Sequence, residues 1–287
     1  MIAMKKELQI KCPAKINLTL DVIDRRSDGY HNLSMIMQTI NLYDIIKISV
    51  YDTKSPSISL LCENKNVPTD DSNLIVRAAK LFFEKTGISA AVEIQLEKNI
   101  PVGAGLGGGS SDAAGTLTAL NTIFDNPLSK ESLAHMAKSL GADVPFFLNG
   151  GCMLAEGIGE KLSPLPPLEN IFIVLAKPEI SISTAHVYKS LVLDDSICHP
   201  DVKSAIDALH NQDVDKLASV AGNVLESVVL KEHDIIQEYK SIMKEFGAVY
   251  SLMSGSGSSV FGIFKNKPSA EKALQKFLTI TPTAYMV

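Results

Sequence analysis

Polar and apolar residues alternate along residues 7–23, with Ala14, Ile16, Leu18 and Leu20 on one face and Lys15, Asn17, Thr19 and Asp21 on the other. That period of two predicts a β-strand. The same pattern returns over 39–50 through Ile40, Leu42, Ile46, Ile48 and Val50, and shorter strands are expected at 57–62 and 91–100. Leu74, Ile75, Ala78, Ala79, Phe82 and Phe83 instead follow helical spacing, behind the capping run Asp71-Ser72-Asn73 and ahead of a stop at Gly87. Two more helices are expected at 113–123 and at 130–140, the second capped by Ser129 and closed by Gly141. Strands followed by grouped helices indicate an α+β fold, not a repeating βαβ unit.

Past Gly150-Gly151 the pattern changes. A hairpin around Gly157-Ile-Gly159 and the Pro-rich run Ser163–Pro167 lead into an apolar strand at 171–176. Helices are expected near 183–191, 201–210, 213–221, 231–246 and 268–278, with strands at 248–253, 260–264 and 284–287. Two domains follow, 1–158 and 159–287.

Composition narrows the class. At 287 residues, 46% hydrophobic and 21% charged, the chain has the make-up of a globular protein. Its formal charge of −5 argues against a nucleic-acid surface, which needs basic stripes. No apolar run approaches membrane-spanning length, and Met1–Glu7 lacks the apolar centre of a leader, so a cytoplasmic location is expected. Cys12, Cys62, Cys152 and Cys198 form no metal-binding spacing and read as reduced thiols.

The chemistry concentrates in Pro101-Val-Gly-Ala-Gly-Leu-Gly-Gly-Gly-Ser-Ser-Asp112, five glycines between a strand and a helix. Glycines let backbone approach a ligand, and a helix start aims N–H groups at an anion, so this stretch reads as a phosphate cradle. A flexible surface loop is the plainer alternative. No Lys follows these glycines as a P-loop requires. Gly103-x-Gly105-x-x-Gly108 fits the dinucleotide fingerprint, but no second parallel strand ending in an acid follows the helix. A second glycine stretch, Ser254-Gly-Ser-Gly-Ser-Ser259, lies between two strands and reads either as a hairpin turn or as another wall of a phosphate pocket. Asp143, before Val144-Pro145, is either an N-cap or a carboxylate placed to take a proton from a substrate hydroxyl. Lys15, on a polar strand face, is the candidate cation to accompany it.

Three segments resemble the motifs of the GHMP small-molecule kinases: Pro13-Ala-Lys-Ile-Asn-Leu18, Pro101–Ala113 and Met253-Ser-Gly-Ser-Gly-Ser-Ser-Val-Phe261. The likeness extends over essentially the whole chain. It implies a ribosomal protein S5 domain 2-like N-terminal domain, a ferredoxin-like C-terminal domain and an active site in the cleft between them. It further implies transfer of a phosphoryl group from ATP, with Mg2+, to an alcohol. Lys15 and Asp143 match the catalytic pair; Pro101, Val102, Gly103, Ala104, Gly105, Leu106, Gly107, Gly108, Gly109, Ser110, Ser111 and Asn73 match ATP-binding positions. Ser110 or Ser111 would assist the metal, and Ser254, Gly255, Ser256 and Gly257 would support the phosphates. Asp28-Gly-Tyr-His31 resembles the branch of the family whose acceptor carries a cytidine diphosphate, with Asn17, Tyr30, His31, Thr184 and Tyr188 at substrate positions. For Tyr188, simple helix packing is the competing reading. A kinase for another alcohol, such as mevalonate or homoserine, and a non-catalytic nucleotide-binding protein are the alternatives. The partners implied are small molecules, without nucleic acid or membrane, and the assembly is a monomer or homodimer.

Overall fold

The computed structural model describes residues 4–51 and 55–287; Met1–Ala3, the start of the segment read for a leader, lie outside them. Two long strands open the chain, β1 (Met4–Arg25) and β2 (His31–Tyr51), joined by a turn in which Arg26 N–H donates to Tyr30 O and Gly29 N–H to Arg26 O. β2 begins eight residues before the alternation at 39 suggests. Residues 35–38 (Met-Ile-Met-Gln) are buried on both faces, so no polar position marks the strand period there.

β3 (Ser57–Cys62), α1 (Leu74–Thr86), β4 (Ala91–Glu97), α2 (Gly108–Ile123), α3 (Lys130–Leu140) and α4 (Val144–Asn149) follow. The next elements are β5 (Cys152–Gly157), β6 (Lys161–Leu165), β7 (Phe172–Ala176), α5 (Thr184–Ser190), α6 (Val202–His210), α7 (Val214–Val220) and α8 (Glu226–Glu232). α9 (Asp234–Glu245), β8 (Tyr250–Met253), β9 (Val260–Phe264), α10 (Lys267–Leu278) and β10 (Ala284–Met286) complete the described chain. The single helix expected at 231–246 is two, broken at His233, where φ −141° and ψ 85° leave helical space. α2 starts five residues earlier than apolar spacing indicates, so Ser110, Ser111 and Asp112 belong to the helix and not to the loop.

One sheet runs β3-β4-β2-β5-β6 with β1 also on β2; only the β3–β4 pair among those registered is parallel. β6 lies at the end of that path, which is where a strand tolerates Pro164. A second, antiparallel sheet runs β10-β7-β9-β8.

Contacts divide the chain into two interleaved units. One comprises 1–14, 41–102 and 107–150; the other 15–40, 103–106 and 151–287. The expected boundary at 158/159 lies within the β5–β6 hairpin of the second unit. In the first unit, Ile46, Ile48, Val92, Ile94 and Leu96 from the sheet meet Phe82 of α1 and Leu117 and Leu120 of α2. Each such fully buried side chain contributes on the order of 1.5–3 kcal/mol. Gly115 lets α2 approach β1, since a Cβ there would overlap the Cys12 sulfur. In the second unit α9 and α10 cover the four-stranded sheet, with Tyr239 and Phe277 in ring contact at 5.0 Å. Among the described residues, no helix is long and apolar enough to cross a membrane. All four cysteines are free thiols.

Candidate active site

The glycine stretch has a regular construction. Gly103, Gly105 and Gly107 take φ of 62°, 75° and 70°, and the residues between them, Ala104 and Leu106, are buried. Left-handed glycines alternate with inward apolar side chains, so the other side of the turn is bare backbone. α2 then starts from Gly107, which has no side chain to cap it, and no carboxylate stands in its first turn. Its first N–H groups and dipole therefore remain available to an anion. The buried Ser111 hydroxyl and Asp112 Oδ1 have no hydrogen-bond partner. Buried polar atoms without partners are uncommon, and a hydroxyl beside a carboxylate oxygen has the donor set of a hard cation accompanying a phosphate.

The 254–259 stretch is the hairpin turn between β8 and β9, and it also grips the first glycine turn. Ser254 Oγ donates to Gly105 O at 3.0 Å, and Ser259 N–H donates to Ala104 O at 3.2 Å. The fit at Gly105 is backbone on backbone: a Cβ there would overlap the Ser254 carbonyl oxygen. Thr184, at the start of α5, shares a 2.7 Å hydrogen bond with Ser256.

Lys15 meets these loops from β1. Its N–H donates to Leu106 O at 3.0 Å, its ammonium donates to Asn17 Oδ1 at 2.5 Å, and a Cβ on Gly255 would stand 3.3 Å from that ammonium. Lys15 is only 4% exposed and Asn17 1%. A solvated strand face would leave Lys in water; here the polar face of β1 is buried, which favours the binding reading. Asn17 Nδ2 donates to Met35 Sδ at 3.3 Å, fixing the amide that orients Lys15.

At the start of β2, His31 lies against Tyr188 of α5, with ring centroids 5.4 Å apart and planes 33° from parallel. Tyr188 packs on a histidine 157 positions away in sequence, so it reaches beyond its own helix. Burial, aided by Arg25, lowers the His31 pKa below 6.5, keeping the ring neutral with one donor and one acceptor nitrogen. Tyr30 is 61% exposed on the turn that Arg26 and Asp28 stiffen.

A family model for the GHMP kinases N terminal domain matches residues 73–151, and one for the GHMP kinases C terminal matches 205–280. A protein of Lachnoclostridium phytofermentans named 4-diphosphocytidyl-2-C-methyl-D-erythritol kinase is 45% identical over 270 residues, covering 94% of this chain and 92% of that one. The chain belongs to the GHMP kinase family. A relative of the same name from Acetivibrio thermocellus is 43% identical, covering 92% of this chain and 93% of its own. A solved 4-(cytidine 5'-diphospho)-2C-methyl-D-erythritol kinase superposes with a TM-score of 0.82 at 34% identity, over 97% of this chain and 98% of that one. Homoserine kinase from Cytophaga hutchinsonii shares the fold alone, with a TM-score of 0.78 at 20% identity over 100% of this chain and 96% of that one.

In the other unit of this GHMP kinase, Asp143 occupies the N-cap position of α4, but its side chain makes no capping hydrogen bond. Capping is therefore not its task. Asn73 does cap α1, accepting from Ile75 N–H at 2.8 Å and donating to Pro68 O at 2.6 Å. Both ends of its amide are spent on the entry to the helix.

A charge cluster outside the expected site residues stands against the start of α2 in this GHMP kinase. Lys98, just past β4, pairs with Asp44 and with Asp112 at 2.8 Å, all three buried. Asp44 Oδ1 also accepts from the Asn99 and Ile100 N–H groups at 2.6 and 2.8 Å, fixing the approach to Pro101. Burial, with Asp44 nearby, raises the Asp112 pKa to about 7 against the pull of Lys98. Burial works against the Lys98 charge, yet the two carboxylates outweigh it and raise its pKa. The signal existed: Asp44 interrupts the apolar register 40-42-46-48-50, and Lys98 extends 92-94-96. Opposite charges in the inward register of two neighbouring strands point to a buried pair.

Proposed function

We infer that this chain is a cytoplasmic ATP-dependent kinase that phosphorylates the 2-hydroxyl of 4-diphosphocytidyl-2-C-methyl-D-erythritol, yielding the 2-phosphate and ADP in isoprenoid precursor synthesis by the non-mevalonate route. The His31–Tyr188 ring pair carries the choice of acceptor, because a neutral imidazole beside an aromatic face suits a nucleobase. Stacking a base on such a ring is worth about 1–3 kcal/mol.

In the proposed mechanism residues 101–111 hold the triphosphate through the backbone N–H groups between Pro101, which has none, and Ser111, whose N–H donates to Gly107 O; Ser254–Gly257 brace the turn. Magnesium would offset charge on the phosphates, with the unpartnered Ser111 hydroxyl, or Ser110, as its protein oxygen. Phosphoryl transfer depends on positioning and on stabilising spread negative charge. Lys15, buried and steered by Asn17, supplies the positive charge that stabilises it at the acceptor end. Asp143, with no capping duty, takes or polarises the hydroxyl proton. Tyr30 and His31 select the cytosine, with Tyr188 as second wall and Thr184 ordering the start of its helix. Asn73 acts on the adenine side through the geometry of the α1 entry.

Incubation with magnesium-ATP and, separately, the cytidyl alcohol, mevalonate and homoserine tests this reading by ADP release and phosphorus NMR of the product. Turnover is expected with the cytidyl alcohol alone. Turnover with mevalonate or homoserine instead would overturn the acceptor assignment.

A further inference from the structure

Asn223 lies in the segment between α7 and α8, in no motif that the sequence singled out, and is 7% exposed. Its carboxamide nitrogen donates to two carbonyls of the second glycine loop, Met253 O and Gly255 O, each at 2.8 Å. Its Oδ1 accepts from Leu225 N–H at 3.0 Å, so all three bonds converge in one small volume. The backbone around it is tied to β1: Leu20 N–H donates to Gly222 O at 2.8 Å, and Val224 N–H donates to Leu20 O at 3.0 Å. Thr19 Oγ1 donates to Gly222 O as well, at 3.1 Å. Three residues on, Glu226 accepts from Met253 N–H at 2.7 Å and pairs with Lys240. The Met253 residue is thereby held at both its N–H and its carbonyl.

This arrangement has a direct bearing on Lys15. The strand that carries Lys15 also carries Leu20, and the loop that abuts the Lys15 ammonium carries Gly255. Asn223 stands between them: its backbone neighbours bond to that strand, and its side chain bonds to that loop. We propose that Asn223 is a positioning residue for phosphoryl transfer, acting through Lys15 by fixing the Gly255 carbonyl and the 254–257 backbone beside the ammonium. Gly255 has positive φ and no side chain of its own, so between the anchored Ser254 and Ser256 its placement depends on bonds made to its backbone, such as the one to its carbonyl.

The proposal rests on the kinase reading, and the test separates the two. Asn223→Ala, Asn223→Ser and Asn223→Asp are compared with the unaltered chain for kcat per folded molecule, for KM of the cytidyl alcohol, and for thermal midpoint. Displacement of groups near the reacting atoms by fractions of an ångström lowers rates by roughly ten- to hundredfold. We expect a loss of that size in kcat for Ala, with the acceptor KM held within about twofold. Asp, which turns two donors into an acceptor facing two carbonyls, should lose at least as much. Ser keeps one donor and should lie between Ala and the unaltered chain, and it carries the test if Ala does not fold. The decisive measurement is the cycle with Lys15→Met: if Asn223 acts through Lys15, removing both costs little more than removing Lys15 alone. Full additivity in that cycle, or unchanged kcat per folded molecule in Ala and Ser, would overturn the proposal. Failure of the unaltered chain to turn over would reject the kinase reading instead.

Discussion

Lys15 and Asn17 are buried side by side on β1, and half-buried Asp143 stands at the start of α4 without capping it. Lys15→Met and Asp143→Ala should each lower kcat about 10²- to 10⁴-fold with nucleotide affinity nearly kept, since their effect is on the transition state. Steady-state kinetics with calorimetric ATP binding checks this. His31 gives a pH signature. Because its pKa is lowered, the ring stays neutral as pH falls through 6.5 and gains its charge only below that value. KM for the cytidyl alcohol should therefore be flat from mildly alkaline pH through 6.5 and rise only at lower pH; a rise centred above 6.5 would contradict the assignment. Lys98 is a question of stability. Its removal by Lys98→Met strands Asp44 and Asp112 in the interior and should cost about 3–5 kcal/mol in urea unfolding.

At the level of elements, the glycine turn and the 254–259 hairpin behave as a matched set. Gly103 and Gly105 both have positive φ, but space around them differs: a Cβ on Gly103 meets nothing within 4 Å, whereas on Gly105 it meets the Ser254 carbonyl. Gly103→Ala should cost only the left-handed strain of about 1–2 kcal/mol. Gly105→Ala should in addition force the two loops apart and remove most activity, as thermal melts and kcat will register. These motifs, the amphipathic α1 and the strands with clean alternation were legible because one face was apolar and the other was not. Residues 35–38 were not, being buried on both faces, and the α8–α9 break was hidden because Glu226–Glu245 has no proline or glycine to mark it. The Asp44–Lys98–Asp112 cluster and Asn223 escaped for a different reason. Their long-range partners lie 14 to 56 positions away, and single polar residues acquire meaning only when folding supplies those partners.

Across the whole molecule, the two units are not consecutive along the chain. Residues 15–40 and 103–106, which precede Gly151, belong with 151–287. A fragment ending at residue 150 should therefore fail to fold, lacking the remainder of the unit in which its strand segments 15–25 and 31–40 sit; circular dichroism and limited proteolysis would detect the failure. The bare backbone of residues 103–107 also bears on inhibition. A compound reading only those amides would confront a surface that point substitution can scarcely redraw, because main-chain N–H groups persist whatever side chain is attached, and at Gly105 a Cβ would strike the Ser254 carbonyl. Selection for resistance in the corresponding organism would then be driven to more distant positions, or to raised expression, rather than to the docking surface itself.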